Sequence, residues 1–324
     1  LANHVSLSAS ARTLAAIDDL SEDQARLLFR AKRFAATGGE PTCPYCDHCS
    51  AVYEYRSRTI FKCKQCQRQF SLTTGTPFAR RKLEFKKILK AIAAFSGPAK
   101  GFNAIDLSHR INVQHKTAYR MLRKFRDGIL NIEPFIILEG EVEIDGAEIG
   151  GHIRPKNVKK SATDYRRWPN RHNEKKKIIV VVRERRGRIL TTIVKREADA
   201  VPFVRARVKA KTRLYSDHGA GWSAALTAKF DRKRINHSNE YWSPEANTNS
   251  AESFFAIVRR SAFGIYHNIS GPHLFQYAAE IAWRQQHNRK VPGDRFDILL
   301  GRLAYLTGPP RAPKAFNDVG SVHA

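Results

Sequence analysis

Glu141-Val-Glu-Ile-Asp-Gly-Ala-Glu-Ile-Gly-Gly151 lies where the texture of the chain changes, and its alternation decides what the second half can fold into. Val142 and Ile144 fall on one face of a strand, Glu143 and Asp145 on the other. Residues 177–183 and 188–195 flank the turn Glu184-Arg-Arg-Gly187 and read as a hairpin. Residues 135–138 are expected to add a strand before this set. Helical spacing follows near 199–208, then strand-like 213–216, a short helix at 222–230 and a last strand at 234–236. Two long helical patterns, about 250–263 and 273–287, close the core. Strands interleaved with helices in this way indicate an α/β domain.

Upstream, residues 83–130 read as three helices. Phe85, Ile88, Leu89, Ile92 and Phe95 form the first apolar stripe, ended by Gly97-Pro98. Ala104, Leu107 and Ile111 form the second, and Ala118, Met121, Leu122 and Phe125 the third. The last two have helix-turn-helix proportions around 111–113. Gln114, His115, Lys116, Thr117 and Arg120 then occupy the early turns of the second helix, where base edges would be met in a major groove. A plain helical hairpin with a solvated basic face is the alternative. Residues 1–40 read as a helical lead-in, with Ser21-Glu-Asp-Gln24 as a capping box. The expected layout is thus a lead-in at 1–40, a cysteine-bearing module at 41–77, helices at 83–130, an α/β domain at 135–297 and a tail at 298–324. Within the fourth, the basic, Pro-broken segment 152–177 reads as a loop.

The 324 residues carry 57 Lys and Arg against 30 Asp and Glu, a formal charge of +27, with 42% hydrophobic residues. That composition supports a packed core and implies a polyanionic partner, since charge of one sign on this scale repels itself. No apolar run approaches the ~20 residues of a membrane span, and no signal pattern opens the chain. The expectation is a soluble cytoplasmic protein, associated with the nucleoid and with no membrane partner. Leu1 opens the chain and Met121 is the single methionine, as expected where a start has been clipped or misassigned.

All five cysteines fall between Cys43 and Cys66. A disulfide framework would spread an even set along the chain, whereas this clustering points to metal. Cys43-Pro-Tyr-Cys46 and Cys63-Lys-Gln-Cys66 are two knuckles that a hairpin brings together as a tetrahedral zinc site. His48 and Cys49 read as bystanders. Arg56, Arg58, Lys62, Lys64 and Arg68 decorate this module, as a phosphate-contacting surface needs.

Three acids stand in positions that suggest chemistry. Asp145 is read as ending its strand before Gly146. Asp217 follows 213–216 and precedes Gly219 and Gly221. Glu252 lies on a helix whose apolar face is Ala251, Phe254, Phe255 and Val258, with Arg259 and Arg260 beyond. Strand C-terminal ends are where α/β sheets present their sites. Three converging carboxylates repel unless cations neutralise them, and hard oxygen donors suit Mg²⁺ or Mn²⁺. A pair of such ions about 4 Å apart serves an in-line phosphoryl displacement. Taken singly, each acid reads as an ordinary turn residue or surface ion pair; order and context carry the set. Glu141, Glu143 and Glu148 lie close enough to Asp145 to be confused with it. Phe254, Phe255, Phe263, Phe275, Tyr277 and Trp283 read as core. His237 lies near the stretch from Asp217 to Glu252 and could approach phosphate.

The chain resembles bacterial insertion-sequence transposases of the DDE class with an N-terminal zinc ribbon, the ISXO-type group related to Merlin transposons. The resemblance spans about 43–297. It rests on Cys43-Pro-Tyr-Cys46, Phe61-Lys-Cys-Lys-Gln-Cys-Gln-Arg-Gln-Phe-Ser71, Lys116-Thr-Ala-Tyr-Arg-Met-Leu122 and Val142-Glu-Ile-Asp145 with Ile149-Gly-Gly151. Asn247-Thr-Asn-Ser-Ala-Glu-Ser-Phe254, Gly264-Ile-Tyr-His-Asn-Ile-Ser270 and Trp283-Arg-Gln-Gln-His-Asn-Arg289 add to it. It implies an RNase H-like mixed-sheet catalytic domain, preceded by a zinc ribbon and a helix-turn-helix segment. The implied triad is Asp145, Asp217 and Glu252, holding Mg²⁺ or Mn²⁺. In part of the group the third position falls on an asparagine three residues earlier, here Asn249. Arg259 stands where a basic residue, usually Lys, is common.

The implied activity is binding of terminal inverted repeats, then DNA cleavage and strand transfer. Double-stranded DNA of the element ends and of the target is the partner, with a homodimer or higher assembly on it. Gly146 and Glu148 depart from the group's pattern, where an acid and an aromatic are usual. An inert DNA-binding regulator descended from a transposase, or an RNase H-like nuclease, are the alternatives.

Affinity for duplex DNA is expected to fall steeply with salt, with a log–log slope of about −0.9 per neutralised phosphate. A flat anisotropy titration across a salt series counts against DNA as the partner.

Overall fold

The computed structural model describes residues 14–47, 51–55, 58–131, 136–150, 176–185, 187–217, 224–227, 229–235, 249–267, 269 and 271–305. The chain divides into two compact units, Leu1–Ile132 with His287–Ala324, and Glu133–Gln286. No helix among the described residues is long and apolar enough to cross a membrane.

In the first unit, helix Glu22–Arg33 begins at the expected capping box. The Ser21 hydroxyl accepts the Gln24 N–H at 3.2 Å, and the Ser21 N–H donates to Gln24 Oε1 at 2.8 Å. Three short strands follow, β1 (Val52–Tyr55), β2 (Ile60–Cys63) and β3 (Gln69–Ser71), in antiparallel order β1-β2-β3. The cross-strand pair Phe61 and Phe70 stacks with ring centroids 5.2 Å apart. The three helices read from the sequence are present as Phe85–Ser96, Ala104–Ile111 and His115–Leu130, with the stripe residues buried except Ala104, which is half-buried.

The last helix of this unit corrects one expectation. Residues to 297 were expected in the catalytic domain and 298–324 in a tail, yet one helix runs Pro292–Tyr305 and packs with the N-terminal helices. Phe296, Leu299, Leu300 and Leu303 are all buried, at the spacing of one apolar stripe that needs a partner. Lys32 Nζ pairs with Asp297 Oδ1 at 2.9 Å, and Arg33 Nη1 donates to the Ala304 carbonyl at 3.3 Å. Residues 306–324 lie outside the described residues.

The second unit is built on a mixed sheet of β4 (Glu141–Gly150), β5 (Lys176–Glu184), β6 (Ile189–Val194), β7 (Arg213–Asp217) and β8 (Asp231–Ile235), in the order β6-β5-β4-β7-β8. β4, β5 and β6 pair antiparallel, while β7 runs parallel to both β4 and β8. The mixed α/β architecture expected from the sequence is therefore present. Both faces are covered. Val142, Ile144, Val180, Val182 and Leu214 pack with Phe203, Val204, Leu226 and Phe230 on one side. Ile149, Ile179 and Val181 pack with Phe254, Phe255, Val258, Leu274 and Ile281 on the other. Burial on two sides explains why β5 reads as an unbroken aliphatic run.

Three local expectations change. Asp145 does not end its strand: β4 continues to Gly150, because β5 pairs with it from Val142 to Gly150. Its pairing with β7 stops at Ile144, so Asp145 marks the end of the parallel contact only. Of the strand expected at 135–138, the described part is an isolated bridge between Leu138 and Val208. Phe263, read as core, is 80% exposed, because helix Asn249–Ser261 gives way to a wider π turn at Ala262–Tyr266 that rotates it outward. Most of the basic segment 152–177, from 152 to 175, lies outside the described residues.

An ion pair is sealed inside this unit on helix Leu274–Gln286. Arg284 Nε and Nη2 donate to Glu280 Oε1 at 2.9 and 2.8 Å, and the Tyr266 hydroxyl donates to the same oxygen at 2.6 Å. Both charged side chains are fully buried. Removing the carboxylate takes away the charge that the buried Arg284 guanidinium meets at 2.8 Å, so Glu280→Ala should lower stability by about 3–5 kcal/mol. Chemical denaturation followed by tryptophan fluorescence reads this; a loss below about 1 kcal/mol, the scale of an exposed pair, rules the buried pair out.

Candidate active site and zinc centre

The four paired cysteines converge. Their Sγ atoms all lie within 4.8 Å of one another, with Cys43 to Cys66 and Cys46 to Cys63 each at 3.6 Å. The two knuckles have the same construction. Each ends on a residue in the left-handed region, Asp47 (φ 56) and Gln67 (φ 59), which turns the chain back directly after the second cysteine. In each, the N–H groups inside the loop aim at the first sulfur: Tyr45 and Cys46 toward Cys43, Gln65 and Cys66 toward Cys63. The Cys66 N–H leads in holding the Cys63 thiol down to about 7, whereas burial pushes Cys43 up. Donors aimed at sulfur stabilise thiolate, the form that binds zinc. Four thiolates this close repel without a cation, so the donor set fits Zn²⁺. His48 and Cys49 lie outside the described residues.

Asn103 starts helix Ala104–Ile111 by accepting the Asp106 N–H at 2.8 Å. Asn112 ends it in the left-handed region (φ 50), and its N–H and that of Val113 return to the last turn. Gln114 then caps helix His115–Leu130. Ala118, Met121, Leu122 and Phe125 face inward, which leaves Gln114, His115, Lys116 and Arg120 exposed and Thr117 half-buried. Four of the five residues singled out from the sequence are thus exposed in the first turns of one helix.

In the sheet, Ile144 pairs with Ser216, so the next position on each of two parallel strands is an aspartate. Neighbouring strands lie about 4.8 Å apart. Asp145 and Asp217 are thereby adjacent in register; the Asp217 side chain is outside the described residues. Asp145 is half-buried, and its Oδ1 accepts the Gly146 N–H at 2.8 Å. Helix Asn249–Ser261 lies on the β4 face that carries Glu143 and Asp145, with Ala251, Phe254, Phe255 and Val258 inward. Asn249 and Glu252 are exposed in its first turn, and Arg259 is exposed two turns on. His237 falls outside the described residues.

A polar network beside these acids went unassigned in the sequence. Glu143 is fully buried. Its Oε1 accepts from Arg185 Nε at 3.2 Å and its Oε2 from the Ala251 N–H at 3.0 Å. Arg183, its cross-strand partner, donates through Nη1 to the Ser250 carbonyl at 2.9 Å. Burial lowers the pKa of Arg183, and Glu143 partly opposes that shift. The Arg185 guanidinium also covers the Tyr215 ring at 3.9 Å, and the Tyr215 hydroxyl donates to Glu141 at 2.9 Å. That hydrogen bond leads in holding Glu141 below the usual carboxylate range. One signal for this network was available: an acid between Val142 and Ile144, in a strand covered on both sides, needs a partner.

Residues 137–286 match the ISXO2-like transposase domain, and residues 20–69 match the transposase zinc-ribbon domain. The chain is also similar to an uncharacterised protein in the transposable element ISH50 of Halobacterium salinarum. The two are 24% identical over 269 residues, 79% of this chain and 90% of that protein.

The purified protein should hold about one zinc per four-cysteine site. Cys63→Ser should lose that zinc and unfold the small sheet β1-β2-β3; unchanged metal content by elemental analysis refutes the assignment.

Proposed function

We propose that this chain, which matches the ISXO2-like transposase domain over 137–286 and the transposase zinc-ribbon domain over 20–69, is a transposase that binds the terminal repeats of its element and catalyses metal-dependent cleavage and joining of DNA. The observation that carries the reading is the register of β4 and β7, which sets positions 145 and 217 side by side, with the helix bearing Glu252 laid on the same strand. In this reading Asp145, Asp217 and Glu252 are the catalytic acids. Asn249, one turn earlier on the exposed start of the helix, is an adjunct.

A half-buried aspartate and an exposed glutamate offer hard oxygens with access to water, which fits Mg²⁺ or Mn²⁺. Such ions, when bound, would neutralise charge that develops on the phosphodiester and favour ionisation of the attacking hydroxyl. The chain's own contribution is placement. Arg259 presents an exposed guanidinium from the same helix and receives a phosphate oxygen. Gln114, His115, Lys116, Thr117 and Arg120 enter a major groove, and the zinc ribbon contacts phosphates beside it. These contacts fix where on the duplex the acids act. A dimer or larger assembly joins two ends, and the DNA substrate sets its place at the nucleoid.

Asp145→Asn, Asp217→Asn and Glu252→Gln should each lower strand cleavage and joining by about 10³-fold or more, the scale on which groups acting as a unit fail. Binding to a labelled element end should persist in all three. Joining at the parent rate in Asp145→Asn or Asp217→Asn sinks the triad; loss in Asn249→Ala with retention in Glu252→Gln moves the third role to Asn249.

A further inference from the structure

Glu143 and Arg183 face each other across β4 and β5, and between them they hold both polar groups of one peptide unit. Arg183 Nη1 donates to the Ser250 carbonyl at 2.9 Å, and Glu143 Oε2 accepts the Ala251 N–H at 3.0 Å. That unit opens helix Asn249–Ser261, and Glu252 is the next residue. On β4, Asp145 lies two residues beyond Glu143 on the same face, a step of about 7 Å.

We propose that Glu143 and Arg183 form a clamp that sets the distance between Asp145 and Glu252, so that Glu143 is a positioning residue for the catalytic acids. The proposal rests on the triad reading above.

The physical case has three parts. First, apolar packing holds the helix to the sheet but is poor at fixing its axial position. Burial of Phe254, Phe255 and Val258 is a non-directional attraction, which does not by itself select the backbone group that meets the sheet. Two hydrogen bonds of opposite polarity to a single peptide unit leave no such freedom. Second, the clamp is itself held. Glu143 has no solvent exposure, and Arg185 Nε occupies its other oxygen at 3.2 Å. Arg185 is in turn fixed over the Tyr215 ring at 3.9 Å. Tyr215 precedes Ser216 and Asp217 on β7, so the network links the strands that bear both aspartates to the helix that bears the glutamate. Third, a carboxylate meets an N–H of the first turn, where the helix dipole strengthens the bond. Metal affinity of a carboxylate set depends on such outer contacts, commonly by 10- to 100-fold.

The test uses the full chain and two substitutions. Glu143→Leu removes the acceptor; Glu143→Gln keeps an oxygen for the Ala251 N–H but discards the charge that faces Arg183 and Arg185. Three readouts are taken: amide hydrogen exchange over 249–261, Mn²⁺ binding by electron paramagnetic resonance, and cleavage rate against Mg²⁺ concentration.

Glu143→Leu should speed exchange in the first turn, weaken Mn²⁺ binding by about 10-fold and cut cleavage by about 10²-fold. Extra Mg²⁺ should recover part of the rate. Glu143→Gln should fall between it and the parent, and DNA affinity and zinc content should not move in either. If Glu143→Leu does not fold, Glu143→Gln decides alone. Parent-like exchange and parent-like Mn²⁺ binding in Glu143→Gln overturn the clamp. Failure of the triad is told apart by Asp145→Asn and Glu252→Gln: parent-like cleavage in those two condemns the triad, while exchange over 249–261 still judges the clamp.

Discussion

β4 is paired on both edges and covered on both faces, and most of what the second unit can do follows from that confinement. Its even positions, Val142 and Ile144, enter one core, and its odd positions face the helix Asn249–Ser261. Glu143, the odd position under the start of that helix, is therefore committed to the interior, while Asp145 is half-buried. A lone buried carboxylate would be costly or would take up a proton. Two arginines of β5 and its following turn, together with a peptide N–H, surround Glu143 and supply its partners. The price of admitting that charge is a fixed helix, and the helix carries Glu252. Charge placement and helix placement are one constraint.

The first unit solves a different problem with similar means. Its three strands span four, four and three residues, too little to bury a core of their own. Two identical turns, each closed by a left-handed residue and each aiming N–H groups at a sulfur, prepare four thiolates for one ion. Metal binding then supplies folding energy that area burial cannot. The stacked pair Phe61 and Phe70 lies on the same strands and ties the sheet to the N-terminal helices through Phe34. A basic surface thus acquires a rigid base.

Much of this was legible in residue order. The capping box at Ser21, the three apolar stripes from Phe85 to Phe125, the paired C-x-x-C turns and the hairpin at Glu184 appear where local patterns predict. Other features were not. Asp145 looked like the end of a strand because Gly146 follows it, but pairing with β5 carries the strand to Gly150. Phe263 has the spacing of a core residue, and a π turn moves it out. Helix Pro292–Tyr305 shows a clear stripe yet no sign of which unit it completes. For Asp145 and for helix Pro292–Tyr305 a distant segment decided the outcome; for Phe263 a local change in helix type did.

Composition, spacing and periodicity by themselves determined the classes of element, the four-cysteine cluster, the basic character of the chain and which acids stand at the ends of elements. These depend on neighbours along the chain, within one turn or one strand. Only the tertiary structure decided that positions 145 and 217 share a register, that Glu143 is interior, and that Ser250 and Ala251 are gripped by β4 and β5. Register between strands far apart in sequence is chosen by how two cores fill at once, and no local pattern contains that sum.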